Sequence, residues 1–124
     1  MKKSVYIYNF SEQREKAIKL ALMPLGIAGI RVEKESYKKP LGVLCKIKGF
    51  DSPDKDFADF DEEMLLLCGC GSSDIDGIIR ALKKCGIGRV ALKAILTDTN
   101  IFWSSSELYE AVKADHEEMA KNRS

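Results

Sequence analysis

The sequence predicts an α+β protein: a ferredoxin-like sandwich of two βαβ units, with a four-stranded antiparallel sheet and a C-terminal helix. The main observation is an internal repeat, because residues 4–27 align without a gap to residues 64–87, sixty positions later. In each copy an apolar strand precedes a helix at the same register. The length of 124 residues also suits one domain.

We expect a single domain over 1–124 with four parts. These are a first βαβ unit with a short element (1–50), an acidic linker (51–63), a second βαβ unit (64–97), and a loop with the C-terminal helix (98–121). The linker is assigned from seven Asp/Glu, one Lys and one Pro within thirteen residues, which is a composition typical of surface connections.

The first unit begins with Val5–Phe10, a strand that is apolar on both faces. Ser11 is predicted to cap a helix that Pro24 ends and Gly26 closes in the left-handed conformation. A second strand is expected at Gly29–Lys34. The apolar residues at helical spacing are Ala17, Ile18, Ala21, Leu22 and Leu25.

The segment Pro40–Ile47 is ambiguous between strand and helix. Leu41, Val43, Cys45 and Ile47 alternate as in a strand, whereas Pro40 suits the first position of a helix. The pattern favours a short helix that ends at Gly49.

The second unit repeats this plan, with a strand at Met64–Cys70 and a helix capped by Ser73. Arg89–Leu96 is predicted as the fourth strand. Ser104 and Glu107 form the pattern of a capping box at the start of the last helix. Both central strands are apolar on two faces, so the second face needs a cover: the C-terminal helix, a subunit interface or a ligand.

Charge is unevenly distributed along the chain. Residues 1–50 contain eleven Lys/Arg and four Asp/Glu, whereas residues 51–124 contain nine and fifteen, which gives +7 and −6. This asymmetry could favour a partner or head-to-tail self-association as a homo-oligomer, or folding could bring the halves together and cancel it. No apolar run is long enough for a membrane span or a signal peptide, so we expect a cytoplasmic location with reduced cysteines.

Cys68-Gly69-Cys70 is the most conspicuous short pattern. Residues two apart on a strand point the same way, so Cys68 and Cys70 could be a pair of reactive thiols. The start of the next helix would lower the pKa of Cys70. Structural thiols in a reduced strand are the alternative. With one histidine in the chain, no metal site is predicted.

Tyr6 and Tyr8 share one face of a central strand. Aromatic residues on such a sheet stack bases in one large class of RNA-binding proteins. The companion strand lacks the basic and aromatic signature of that class, which favours core packing and makes nucleic acid a less favoured partner.

The block Lys93–Trp103 combines a lysine on a strand with a polar turn and a tryptophan. Its hydroxyl and amide side chains can bond their own backbone and form a tight turn. Alternatively, the block forms a small polar pocket that binds a ligand or partner. The residues of this candidate site are Lys93, Thr97, Thr99, Asn100 and Trp103.

The same block carries a resemblance. The segment from Met64 to about Met119 resembles a small bacterial family of unknown function found in Firmicutes, through the pattern Lys-Ala-x-x-Thr-x-Thr-Asn-x-x-Trp that starts at Lys93. Further matching residues are Cys85-Gly86-Ile87 and Leu108-Tyr109. The resemblance implies no activity, cofactor or partner.

These observations favour a non-catalytic cytoplasmic module that binds a protein partner, itself or a small regulatory ligand. The first alternative is a small thiol enzyme or redox switch that uses Cys68 and Cys70. The second is a single-stranded nucleic-acid binder that uses Tyr6 and Tyr8. No catalytic set is predicted, because His116 has no identifiable nucleophile or substrate proton near it in the pattern. No cofactor is predicted either.

Overall fold

The computed structural model describes residues 2–56 and 58–122. Within these residues the chain forms four strands and four α-helices, so the α+β class is confirmed. Short 3₁₀ turns follow α1 and precede α2 and α4. In chain order the elements are β1 (Ser4–Tyr8), α1 (Glu12–Leu22), β2 (Ala28–Arg31), α2 (Leu41–Leu44), β3 (Met64–Cys68), α3 (Ser72–Lys84), β4 (Leu92–Ile95) and α4 (Ser105–Asn122).

The sheet has the strand order β2-β1-β3-β4. β1 is parallel to β2, β3 is parallel to β4, and only the central pair β1 and β3 is antiparallel. The predicted ferredoxin-like antiparallel sheet is therefore wrong. A ferredoxin-like order needs a hairpin between the second and third strands. Here the connection 32–63 folds across the sheet. Helix α1 leads to β2 directly beside β1, and helix α3 leads to β4 directly beside β3.

The sheet separates two cores. Odd-numbered residues of the central strands, such as Val5 and Leu65, pack under α1 and α3 with Ile18 and Ile78. Even-numbered residues face the other way. The second core contains Tyr6, Tyr8, Val32, Tyr37, Leu41, Cys45, Phe60, Met64, Leu66, Cys68, Leu92, Leu108 and Tyr109. The cover of the second face is thus shared between α4 and the β2–β3 connection.

The ends of α1, α3 and α4 follow the expected chemistry with one exception. The Ser11 hydroxyl accepts a hydrogen bond from the Arg14 amide at 3.3 Å, and Gly26 closes the turn after α1 with φ 71°. The predicted Ser73 cap is wrong, because Gly71 is the N-cap of α3. The Asp74 carboxylate accepts from the Gly71 amide at 2.9 Å. At α4 the predicted capping box forms between Ser104 and Glu107.

The ambiguous segment is a short helix, and Pro40 lies at its start as predicted. This helix, α2, ends at Leu44 and not at Gly49, because Lys46 takes a left-handed conformation with φ 56°. The acidic linker 51–63 is irregular and mostly exposed at the residues described. Its Phe60 is buried and stacks between Tyr37 at 4.7 Å and Tyr109 at 4.3 Å between ring centroids.

Candidate ligand-binding groove

A groove of about 780 Å³ lies on the second face of the sheet, at the β2 edge. We call it the β2 groove. Its floor comes from even-numbered residues of β1 and β2, and one wall comes from α2 and the residues after it. The lining residues are Lys2, Ser4, Tyr6, Ala28, Ile30, Arg31, Val32, Glu33, Ser36, Lys39, Val43, Leu44, Cys45, Lys46, Ile47 and Lys48.

The groove exists because the two edge strands are covered differently. α4 packs against β4, so Leu92 is only 3% exposed. The first βαβ unit is followed by the four-residue helix α2, which does not cover the corresponding part of β2. Ile30 on β2 is consequently 37% exposed, and it contributes an apolar surface to the floor.

The α2 wall is held by backbone contacts and by one close approach. The Leu41 amide donates to the Trp103 carbonyl at 2.7 Å, which ties the start of α2 to the loop before α4. Gly42 lies against the Phe50 ring, and a Cβ atom at this position would be 2.6 Å from a ring carbon. Glycine therefore lets the segment after α2 fold back onto it.

The rim of the groove is strongly positive. Five cationic side chains line it against one carboxylate, that of Glu33. Arg31 is bound by Glu15 at 2.6 Å. The other four cations, Lys2, Lys39, Lys46 and Lys48, form no ion pair with any residue that the structure describes. Their field is therefore available to an anion.

The inner end of the groove is formed by a phenol and by one thiol, which contacts a second thiol behind it. Cys45 lines the groove, and its sulfur accepts a hydrogen bond from the Cys68 thiol at 3.0 Å. Burial, and then the neighbouring Cys45, raise the pKa of Tyr6 well above its ordinary value. The bond to Cys45 and burial likewise raise the pKa of Cys68. Tyr6 and Cys68 are therefore uncharged at neutral pH.

The structure separates the residues of the Lys93–Trp103 candidate site. Lys93 lies at the outer edge of the sheet and lines two smaller cavities of about 190 and 240 Å³, near α4 and α3. Its ammonium group donates to the Val90 carbonyl. Burial, and then Arg89, lower the pKa of Lys93. Trp103 instead packs against the second core.

The polar residues of that block bond to one another. The Asn100 side chain accepts from the Thr97 amide at 2.8 Å and donates to the Ile95 carbonyl at 2.9 Å. The Thr97 hydroxyl accepts from the Asn100 amide at 3.1 Å, while Thr99 is exposed. These contacts form a tight turn that leads to Trp103. Through the Trp103 carbonyl the turn supports the α2 wall of the β2 groove.

Cys68 and Cys70 do not converge as the strand alternation predicts. Cys68 belongs to the second core, whereas Cys70 packs against the first. Gly69, with φ 71°, reverses the alternation between them. The pKa of Cys70 is raised by burial and by Asp74, which outweigh the expected effect of the helix start. The thiol that Cys68 contacts is Cys45.

The two tyrosines of β1 have different surroundings. Tyr8 is fully buried beneath Tyr37 and Phe60, and its hydroxyl group lies 2.8 Å from that of Ser105. It offers no surface on which a base could stack. Tyr6 is 5% exposed at the inner end of the β2 groove.

Sequence reasoning missed the cationic rim as a site. Its signal was the +7 charge of residues 1–50, but Lys39, Lys46 and Lys48 are separated from Lys2 along the chain. Only the fold brings them around one apolar floor. His116 lies beside Asp115 and Arg89 in the cavity near α4. Over the described ranges, no three His, Cys, Asp or Glu residues are arranged to hold a metal ion.

Comparison with known proteins locates a family match in the second half of the chain. Residues 63–119, just under half of the sequence, match the model of a domain of unknown function, DUF3783. This segment contains β3, α3, β4 and most of α4, and every residue that lines the β2 groove lies outside it. The family's description assigns no activity. No curated protein and no solved structure matches the chain significantly. Among the described helices, none has the length and apolarity to cross a bilayer.

Proposed function

We propose that this protein is a binding module that holds a small organic anion in the β2 groove. The observation that carries the proposal is the combination of an apolar floor with four ammonium groups that form no ion pair with a described residue. An apolar body would cover Ile30 and Tyr6, and its acidic group would lie near Lys46 and Lys48.

Size and chemistry favour an amphipathic small molecule. A volume of about 780 Å³ is within the usual range of small-molecule pockets. A bare inorganic ion would leave the apolar floor exposed, so it would gain nothing from burial of that surface. The uncharged state of Tyr6 suits binding rather than proton transfer at neutral pH.

A pair of fluorescent probes tests the proposal. One is 8-anilino-1-naphthalenesulfonate, an aromatic anion, and the other is N-phenyl-1-naphthylamine, which has the same rings without the sulfonate. We expect the double variant Lys46→Gln/Lys48→Gln to bind the anion about tenfold more weakly, because two favourable charge interactions are lost. Binding of the neutral probe should be unchanged.

Matched variants locate the binding surface. Lys16→Gln/Lys84→Gln removes the same charge from positions outside the β2 groove and should leave both affinities unchanged. Ile30→Glu should abolish binding of both probes, whereas Ile95→Glu, at a comparably exposed position on β4, should not. An equal loss in the two lysine pairs, or undiminished binding to Ile30→Glu, would contradict the proposal.

A further inference from the structure

Cys45 and Cys68 form a pair of neighbouring thiols that the sequence does not bring together. Their sulfur atoms are 3.0 Å apart, and the residues come from the end of α2 and the end of the central strand β3. An approach of about 1 Å would complete an S–S bond. Both residues are free cysteines with buried side chains, so neither is held by another partner sulfur.

We propose that Cys45 and Cys68 form a reversible intramolecular disulfide when a small peroxide enters the β2 groove, and that this bond fixes the α2 wall to the sheet. The inference rests on the proposed function in one respect only, which is that the proposed anion occupies the groove through which the peroxide enters. The disulfide itself requires no ligand.

Access to the two sulfur atoms defines the order of the two steps. Cys45 lines the groove and is 8% exposed, whereas Cys68 lies behind it at 2%. Cys45 is therefore the first thiol to react, and Cys68 resolves the product.

The chemistry balances with one peroxide. The Cys45 thiol releases its proton, the thiolate attacks a peroxide oxygen, and the O–O bond breaks. The leaving hydroxide combines with the released proton to form water. The product is a sulfenic acid on Cys45. The Cys68 sulfur then attacks the Cys45 sulfur, the S–O bond breaks, and the second hydroxide leaves with the Cys68 proton as water. Two thiols are oxidised, and one hydrogen peroxide is reduced to two waters.

The other two cysteines are not suited to this role. Cys70 packs against the opposite face of the sheet, and its thiol donates to the Cys68 carbonyl rather than to a sulfur. Cys85 is at the end of α3 and donates to the Leu82 carbonyl. A variant that lacks both, Cys70→Ser/Cys85→Ser, therefore isolates the proposed pair.

The test is peroxide treatment of this double variant under native conditions. We expect the intact mass to fall by two hydrogen atoms, with loss of both remaining thiols and full recovery on addition of dithiothreitol. The oxidised chain should also show an unfolding equilibrium about a hundredfold more favourable to the folded state, since the bond closes a loop in the unfolded chain. Adding Cys45→Ser or Cys68→Ser should abolish the mass loss. Stepwise addition of oxygen, disulfide-linked dimers, or closure only in denaturant would overturn the inference.

A second experiment tests the proposed disulfide and the proposed ligand site independently of each other. Saturating 8-anilino-1-naphthalenesulfonate should slow disulfide formation, because it occupies the route to Cys45. Disulfide formation at an undiminished rate would contradict the ligand site but support the thiol pair. Failure to form the disulfide, with anion binding intact, would contradict the thiol pair alone.

Discussion

Tyr6 lies directly opposite Leu66 in the central antiparallel pair, and these two residues are sixty positions apart. The flanking pairs are Ser4 with Cys68 and Tyr8 with Met64, so a half-turn about the Tyr6–Leu66 pair places each strand on the other. An approximate two-fold axis therefore passes between Tyr6 and the residue that the predicted repeat aligns with it. An origin by duplication stays a prediction.

The same offset relates the turns around the two crossover helices. Asn9 and Gly69, which follow β1 and β3, have φ of 63° and 71°. Gly26 and Gly86 have φ of 71° and 88°. Beyond that point the correspondence shifts by four residues, because Ser4 pairs with Ala28 while Met64 pairs with Leu92. The connection from the crossover helix to the outer strand is therefore four residues longer in the second half.

Asn9 should be more important for stability than its half-buried position suggests. Its amide nitrogen donates to the carbonyls of Phe60 at 2.9 Å and Glu62 at 3.1 Å, and its oxygen accepts from the Tyr37 hydroxyl at 2.9 Å. We expect Asn9→Ala to reduce the free energy of unfolding by about 2–4 kcal/mol, since three hydrogen bonds are lost and alanine is strained at positive φ.

Urea denaturation of two further variants separates these causes. Asn9→Gly removes the side chain without the strain and should be about 1 kcal/mol more stable than Asn9→Ala. Gly69→Asn should change stability by less than about 1 kcal/mol, because asparagine tolerates this conformation. Equal stabilities of Asn9→Ala and Gly69→Asn would show that the linker contacts contribute nothing.

The helices and strands could be predicted from the sequence because their causes are local. Ser11, Pro24 and Gly26 define the end points of the first helix and turn through their own chemistry. Strand order could not be obtained in this way, because apolar periodicity is the same for a strand beside β1 and for one beside β3. The deciding element was the β2–β3 connection, in which Phe60 packs among Tyr8, Tyr37 and Tyr109.

In the candidate site, too, local contacts could be predicted from the sequence and long-range contacts could not. The turn of Thr97 and Asn100 was visible in the sequence, since its contacts span three residues. The groove was not visible in the sequence, because Ile30 and Lys46 line the same cavity only once α2 packs on the sheet. Likewise, the contact of Cys68 with Cys45 joins positions 23 apart, and Gly69 redirects Cys70.

Gly42→Ala should destabilise the α2 wall. The added methyl group would lie 2.6 Å from the Phe50 ring, and overpacking of this kind costs about 1–3 kcal/mol. In a Phe50→Ala background the clash is absent, so the same substitution should be neutral or stabilising, because alanine favours helix over glycine. A double-mutant cycle by urea denaturation measures this reversal of sign. The same loss in both backgrounds would contradict the close approach.

Glu15 should make stability depend on pH in the acidic range. Burial alone would raise the pKa of its carboxyl, but hydrogen bonds from Arg31 and Lys19 outweigh it and hold the pKa below its ordinary value of 4.5. A lowered pKa in the folded state contributes stability that is complete above the unfolded value and is lost as pH falls through the folded one. The free energy of unfolding of the natural chain should therefore fall below about pH 4.5 more steeply than that of Glu15→Gln. Parallel curves for the two proteins would exclude this contribution.

Lys46→Gly should separate stability from binding. Lys46 has φ 56°, a conformation that costs a side-chain-bearing residue about 1–2 kcal/mol, whereas glycine adopts it freely at some entropic cost in the unfolded chain. We expect the melting temperature to stay the same or rise. The affinity for 8-anilino-1-naphthalenesulfonate should fall severalfold, because one ammonium group leaves the rim of the β2 groove. Lys46→Arg keeps both the charge and the strain, so it should retain affinity with no gain in stability. A parallel fall of melting temperature and affinity in Lys46→Gly would mean that Lys46 supports the wall itself rather than the anion.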